Sequence, residues 1–350
     1  MKKRIIYGLC IIWAIIGCED IYTPDIEEVD EAIVADARIV NGQAENFIHL
    51  YKSLGFNEKG YNYPDITGAT ITLIDSEGTE YPLPEMGEGI SLVDFNLNPQ
   101  LDYKLRIEYL DDTFESTFEP VPQIPGLDTV YGYPETVVVE TGGENNVNDY
   151  REKSGFQLYT DITLENELPY YRFTARKVLE YVYIENYGSE VLPEIYHFKW
   201  KSYFPQGSFN IAAPPEYSAS SDIIKHPLFF IDQSVYLEQD NFFAGWIIII
   251  YQYGLSKSAY NYYRDLNKQL ESEGYIFDPL YVQARNNLRC TNNQEELILG
   301  NFEISTVTEH RYFVKYISEK HGYELRPVTN RSEIPLEGET IDEYPEFWEH

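Results

Sequence analysis

The chain repeatedly alternates apolar and polar residues, and this period of two limits its possible folds more than any other feature. The clearest case is residues 102–109, where Tyr103, Leu105, Ile107 and Tyr109 alternate with charged residues. Successive side chains of a β-strand point to opposite faces of the sheet, so this segment predicts a strand with one buried face. Because similar segments recur along the chain, we expect a mainly β protein.

Short alternating segments separated by turns fill residues 32–122. The turn sequence DSEG at 75–78, for example, separates the predicted strands 69–74 and 79–83. Several short strands within about ninety residues are typical of an immunoglobulin-like β-sandwich, which we predict for this region. The segment VPQIPG at 121–126 is predicted to end the domain as a linker, since proline cannot donate a ladder hydrogen bond.

Residues 123–326 are predicted to form a larger, strand-rich domain with one prominent helix. The helix is placed at 257–273, with Ser256 as its cap and Gly274 as its end. The predicted strands of this domain are 156–163, 170–183, 195–204, 244–253, 298–304 and 312–317. Residues 327–350 are predicted to be a loosely ordered acidic tail.

The first residues read as a signal peptide, because the basic cluster Lys2, Lys3 and Arg4 precedes an apolar run at 5–16. That run is about a dozen residues long, whereas a helix needs roughly 20 to cross a bilayer. The sequence IIGC at 15–18 resembles the lipobox of bacterial lipoproteins. We therefore predict that residues 1–17 are a lipoprotein signal peptide and that Cys18 carries the lipid. The alternative is an ordinary secretory leader with a coincidental cysteine.

Residues 18–31 are acidic, contain Pro24 and lack an apolar period, so they are predicted to be a tether. About thirteen extended residues at roughly 3.3 Å each span some 40 Å. Glu19 and Asp20 resemble the export signal of surface lipoproteins in the Bacteroidota, although the same acids retain lipoproteins in other bacteria. The expected location is the outer membrane with the protein facing the cell surface, and the periplasmic face is the alternative.

The charge of the chain excludes several partners. Three of its 26 basic residues lie in the leader, which leaves 23 against 58 acidic residues and a formal charge of −35. This balance opposes binding to nucleic acid and to anionic bilayer surfaces. It favours solubility, and divalent-cation binding is the sharper alternative. Since Cys290 is the only cysteine of the mature chain besides Cys18, no intramolecular disulfide is expected.

A search for catalytic and metal-binding motifs nominates no residue. The six histidines form no HExxH or HxH pair, and there is no GxSxG nucleophile elbow. Cys290 lacks the surroundings of a known cysteine nucleophile. The polar stretch 144–149 offers oxygen ligands for calcium but lacks the EF-hand spacing, so a plain surface loop is favoured. No cofactor is predicted apart from the covalent lipid.

Aromatic residues are the remaining feature, with 32 Tyr, 18 Phe and 4 Trp. They cluster at 196–204 and 260–263. Tyrosine and tryptophan cover protein interfaces and also stack on sugar rings, so these clusters are a candidate partner or ligand surface. The alternative is ordinary sheet surface and core. The candidate residues are Tyr196, Trp200, Tyr203, Tyr262 and Tyr263.

The order of segments resembles a known family. The lipobox cysteine is followed by IVADARIV, GATITLIDSEGTEYPL, DYKLRIEY, the proline-containing linker, a tyrosine-rich helix and RCTNNQEELILGNFEIS. Together these resemble the Bacteroidota lipoproteins of domain-of-unknown-function family 4249 (DUF4249), over nearly the whole mature chain. The resemblance implies an outer-membrane lipoprotein, often encoded beside SusC-type TonB-dependent transporters. It supplies no catalytic residues.

The leading hypothesis is a non-catalytic lipoprotein that is an accessory or ligand-binding partner of an outer-membrane β-barrel, such as a TonB-dependent transporter. Its predicted partners are the membrane, which it joins through the lipid on Cys18, and the β-barrel. One alternative is a surface enzyme that acts on glycans or peptides. The other is a structural or adhesive envelope protein.

Overall fold

The computed structural model describes most of the chain after residue 30. The described residues are 31–54, 63–126, 129–141, 149–163, 170–186, 188–204, 209–214, 222–232, 246–270, 284–293, 296–318, 322–334, 340–341 and 343–348. The predicted signal peptide, Cys18 and nearly all of the tether lie outside them. The same holds for 144–148 of the candidate calcium loop and for 271–273 of the predicted helix.

The described chain is mainly β, as predicted. Its helix is α1 (Lys257–Leu270). Its strands are β1 (Ile33–Asn41), β2 (Asn46–Lys52), β3 (Thr70–Asp75), β4 (Glu80–Leu83), β5 (Glu85–Gly87), β6 (Ile90–Val93), β7 (Asp102–Tyr109), β8 (Asp112–Ser116), β9 (Glu119–Pro120), β10 (Thr129–Thr141), β11 (Asp149–Ile162), β12 (Tyr171–Glu185), β13 (Ile195–Tyr203), β14 (Asn210–Ala212), β15 (Ile223–Asp232), β16 (Trp246–Gly254), β17 (Leu288–Cys290), β18 (Ile298–Ser318), β19 (Gly322–Pro327) and β20 (Thr340–Ile341).

One large sheet contains strands from both ends of the described chain. Its order is β20-β13-β12-β16-β18-β1-β2-β6-β5, with β14 on β12 and β19 on β18. The first strand, β1, pairs in parallel with β18, so that Ile33 lies opposite Ile298 and Asn41 opposite Thr306. The two segments predicted at 298–304 and 312–317 are a single strand, β18, which is long enough to pair with strands in both halves of the sheet.

The first half of this sheet packs against a second sheet, ordered β17-β8-β7-β3-β4 with β9 on β7. Apolar side chains from both sheets share one core that includes Ile39, Ile48, Leu105 and Phe302. Residues 32–122 supply most of this sandwich. Strands β17 and the first part of β18 complete it, so the sandwich also needs chain that lies some 180 residues further on.

The second half of the large sheet is covered on both faces. A three-stranded sheet, β10-β11-β15, packs on one face through a core that includes Phe156, Phe173, Trp246 and Ile248. Burial on both faces explains the uninterrupted apolar run WIIII at the start of β16, because parallel and antiparallel strands alike lose the polar alternation when no face meets water.

The C-terminal segment covers the opposite face, contrary to the expectation of a loosely ordered tail. Val328, Phe347 and Trp348 are buried there beside Trp200 of β13, because their apolar surface fills the layer above the sheet. Glu180 of β12 is also fully buried under this segment. No hydrogen bond of standard geometry reaches its carboxylate oxygens within the described chain, and burial raises its pKa from 4.5 to about 7 against a smaller lowering by the nearby Trp348 side chain.

Candidate binding site

Ser256 caps helix α1, which begins at Lys257, as predicted. The Ser256 hydroxyl accepts a hydrogen bond from the backbone N–H of Ala259 at 3.1 Å, which satisfies one of the free donors of the first turn. The same hydroxyl donates to the buried carboxylate of Glu119 at 2.5 Å. Glu119 lies on β9, in the second sheet of the sandwich, and also accepts a hydrogen bond from the Asn287 side chain at 2.9 Å. The start of α1 is thereby fixed to the sandwich.

A buried ionic network attaches the middle of α1 to the large sheet. Glu303 of β18 accepts a hydrogen bond from the Tyr263 hydroxyl at 2.5 Å and an ion-pair contact from Arg172 of β12 at 3.1 Å. The Arg172 guanidinium also lies 4.2 Å from the ring centroid of Tyr253 and 4.9 Å from that of Tyr263. Such a charge is tolerated in the interior because it is paired and held between aromatic faces.

Between α1 and the sheet lies an open pocket of about 380 Å³. It sits on the outward face of β1 and β18, opposite the sandwich core, where the alternate side chains of each strand point away from that core. Its lining comes from β1, β2, β18, α1 and the residue before β14. The lining residues are Val34, Ala35, Asp36, Arg38, Tyr51, Phe209, Tyr262, Tyr263, Leu266, Leu299, Gly300, Asn301 and Glu303.

The charged groups at the pocket are paired with each other. Arg38 donates two hydrogen bonds to the Asp36 carboxylate, at 2.7 and 2.8 Å, and this interaction raises the pKa of Arg38. Burial, followed by the nearby negative charges, raises the pKa of both Tyr262 and Tyr263. Both phenols therefore stay protonated near neutral pH and act there as hydrogen-bonding groups.

Gly300 forms part of the pocket floor and has a special backbone conformation. Its φ of +93° lies in the left-handed region that favours glycine. A Cβ at this position would overlap the carbonyl oxygen of Ala35 on β1. Glycine therefore allows β18 to approach β1 at the point where the pocket opens.

The five aromatic residues predicted from the sequence have different environments. Tyr262 and Tyr263 both line the pocket, but Tyr263 is only 4% exposed and its hydroxyl is bound to Glu303. Trp200 is 1% exposed beneath the C-terminal segment, so it lies in the core and not on a partner surface. Tyr196 and Tyr203 are 48% and 41% exposed on β13. The structure thus leaves three of the five accessible to a partner or ligand.

Sequence reasoning missed the other polar residues of the pocket. Asp36 and Arg38 lie on the polar side of an alternating segment, and that pattern cannot show that a helix lies above them. Their spacing of two residues on one strand was the available signal, since it places both side chains on the same face. Nothing in the sequence indicated the pairing of Arg172 with Glu303.

The other chemical predictions are placed as follows. Cys290 is a buried free thiol, and its Sγ lies 3.2 Å from the side-chain oxygen of Asn292. Across the described ranges, no three or more His, Cys, Asp or Glu side chains come together in a way that would hold a metal ion. None of the helices in these ranges has both the length and the apolar character needed to cross a membrane.

Comparisons with known proteins assign the chain to a family. The comparison with curated proteins and the comparison with solved structures each found no match. The model of one family, described as a domain of unknown function, DUF4249, matches residues 19–311. That match covers more than half of the chain and contains the sandwich, the pocket and α1. The protein therefore belongs to the DUF4249 family.

Proposed function

We propose that this protein is a non-catalytic outer-membrane lipoprotein that binds a ligand beside α1 and assists an outer-membrane β-barrel of the TonB-dependent transporter type. The observation that carries the proposal is the open pocket between α1 and the outward face of β1 and β18. Its volume lies within the range of about 300–1,000 Å³ that is usual for small-molecule sites.

The chemistry of the pocket favours binding over catalysis. Asp36 and Arg38 neutralise each other, and Glu303 is held by Arg172 and Tyr263. A general base must be free to accept a proton from its substrate, and these carboxylates are already engaged. The tyrosine hydroxyls offer hydrogen bonds in their neutral form. These groups are arranged to orient a ligand.

Attachment to the membrane rests on the leader and on Cys18. The run of about a dozen apolar residues before IIGC, and the acidic tether after it, support a lipid anchor for an otherwise water-facing β body. Several acyl chains on one cysteine anchor a protein stably, since each buried methylene contributes roughly 0.8 kcal/mol.

A second surface supports docking to a protein partner. Ile195, Tyr196 and Phe198 of β13 are all close to half exposed, and they include residues from both faces of the strand. These apolar side chains at one end of β13 are exposed enough to contact a protein partner.

Co-purification tests the proposal. The full-length tagged protein is expressed in its own host, extracted in mild detergent and isolated, and its partners are identified by mass spectrometry. We expect an outer-membrane β-barrel to co-purify, and to be lost when Ile195 and Phe198 are both changed to Ser. The matched control changes Leu110 and Val138, two exposed apolar residues elsewhere, to Ser. Recovery of a monomer without any barrel would contradict the proposal.

A further inference from the structure

The pocket continues onto an aromatic surface formed by β2. Phe47, His49 and Tyr51 alternate along this strand with the buried residues Ile48 and Leu50, so the three rings stand on the outward face. Tyr51 also lines the pocket, and Phe47 is 52% exposed. Together with Asp36, Arg38 and Tyr262, these residues form what we call the binding face.

Phe47, His49 and Tyr51 form a row along β2. The Tyr51 ring contacts two other rings, with its centroid 5.1 Å from that of His49 and 5.4 Å from that of Tyr63. From Phe47 to Tyr51 the strand advances about 13 Å, at roughly 3.3 Å a residue. A ligand that follows this row into the pocket is therefore extended and presents several flat apolar surfaces.

Asp36 and Arg38 are the charged residues of the binding face, and they pair with each other at 2.7 Å. Beside the face, His49 contacts Asp65 at 2.8 Å. Glu303 at the base of the pocket pairs with Arg172. A charged ligand would have to break one of these pairs, and an anion would also meet the repulsion of a chain with formal charge −32. The binding face therefore suits an uncharged ligand.

Hydrogen-bonding groups lie between the aromatic rings. The paired Asp36 and Arg38 side chains, the Tyr262 hydroxyl and the Asn301 side chain all line the pocket. A ligand that matches this surface has apolar faces, hydroxyl edges and no net charge. Sugar rings have this combination, because their C–H faces stack on aromatic rings while their hydroxyls accept and donate hydrogen bonds.

We propose that the binding face holds a neutral oligosaccharide, with one sugar ring in the pocket against Tyr51 and Tyr262 and further rings along β2 towards Phe47. This inference rests on the proposed function and adds the chemical class of its ligand. The ligand is bound without being cleaved.

Retention on immobilised polysaccharides tests the inference. The full-length protein is purified from a host that lacks its partners, in a detergent without a sugar head group, since a maltoside would compete for the site. The probes are beads that carry dextran, xylan, mannan or laminarin as neutral glycans, and alginate or chondroitin sulfate as charged glycans. We expect retention on at least one neutral glycan and none on the charged ones.

Two double variants locate the binding. Changing Tyr51 and Tyr262 to Ala should weaken retention at least tenfold, while the control that changes two exposed aromatic residues elsewhere, Phe118 and Tyr133, to Ala should not alter it. Thermal unfolding of each variant verifies that the fold is kept. Tyr51→Phe with Tyr262→Phe preserves the stacking surface and should keep part of the binding, which also separates loss of stacking from loss of folding.

Three outcomes would overturn the inference: no retention on any neutral glycan, retention on charged glycans only, or retention that survives the change of Tyr51 and Tyr262 to Ala. The co-purification experiment stands apart from these results. If the barrel co-purifies but no glycan binds, only the ligand class is wrong; if glycan binds and no barrel co-purifies, the partnership is wrong.

Discussion

The hydroxyl of Tyr263 donates a 2.5 Å hydrogen bond to the carboxylate of Glu303, and this bond joins the middle of α1 to β18. Both residues are buried, and Arg172 contacts the other carboxylate oxygen of Glu303. The buried Glu303 carboxylate, bound by both Tyr263 and Arg172, thus fixes α1 as the wall of the pocket.

Replacing Tyr263 by Phe should destabilise the protein, because one oxygen of the buried Glu303 carboxylate loses its donor. A hydrogen bond to a buried charge contributes about 1.5–3 kcal/mol. Urea unfolding measures the change in the free energy of unfolding. Tyr262→Phe is the matched control on the same helix and should change it by less than about 0.5 kcal/mol. Equal effects of the two substitutions would contradict this account of the network.

Replacing Ser256 by Ala should also destabilise the protein, since the hydroxyl caps α1 and donates to buried Glu119. Loss of an N-cap costs about 1 kcal/mol, and an unsatisfied buried carboxylate adds about 1–3 kcal/mol. The neighbouring Ser258→Ala change lies inside the helix and favours it slightly through propensity. Thermal unfolding of the two variants compares them. An unchanged Ser256→Ala midpoint would show that the cap is unimportant.

Replacing Gly300 by Ala should have a larger effect than the same change at another glycine with positive φ. At Gly68, where φ is +77° and the space around the position is open, alanine should cost about 1 kcal/mol of backbone strain. At Gly300 the overlap with Ala35 adds to that strain, so we expect a loss of more than about 3 kcal/mol. The two variants are compared by chemical denaturation, and similar losses would refute the close approach of β18 to β1.

Glu180 should make stability depend on pH. Its folded pKa of about 7 lies above the ordinary value of 4.5, so between these values the unfolded chain has lost the proton that the folded protein keeps. The free energy of unfolding therefore falls as the pH rises from about 4.5 to about 7. Glu180→Gln should match the parent protein near pH 4 and exceed its stability above pH 7, by up to about 3 kcal/mol.

Denaturant unfolding at pH 4, 6 and 8 measures the effect of Glu180→Gln. The exposed Glu343→Gln change in the C-terminal segment is the control, and its difference from the parent should not vary with pH. A Glu180→Gln variant that is less stable than the parent at pH 8 would mean that the carboxylate is stabilised by a partner.

Replacing Cys18 by Ala should release the protein from the membrane fraction, because IIGC would lose the sulfur that takes the lipid. Cell fractionation followed by immunoblotting measures the distribution. Cys290→Ala should leave the protein in the membrane, since that thiol is buried in the folded body. If the Cys18→Ala protein stays in the membrane, another anchor must hold it.

Local structure was predictable from the sequence where one segment contains its own signal. The alternation of residues 102–109 correctly placed Tyr103, Leu105 and Ile107 inside, and Ser256 correctly marked the start of α1. The strand predicted at 244–253 is present from Trp246 onwards. In these segments the period and the cap residues carry the information.

The pairing of distant segments was not predictable. A period of two places a side chain on a face but does not name the neighbouring strand, so the parallel pairing of β1 with β18 left no local signal. For the same reason Tyr263 could only be grouped with a candidate partner or ligand surface, with core as the alternative. Its contact with Glu303, forty residues away and paired with Arg172 on another strand, left no local signal. The candidate site is built from such distant pairs.

The β1 and β18 partnership has a consequence for how the molecule is made. Ile33 pairs with Ile298, so a further 265 residues must be synthesised before β1 can pair with β18. Until then β1 can pair with β2, but its other edge has no partner strand, and contacts of such long sequence separation form slowly. A product that is truncated before residue 298 lacks this neighbour altogether, which makes it a natural target for chaperones and proteases.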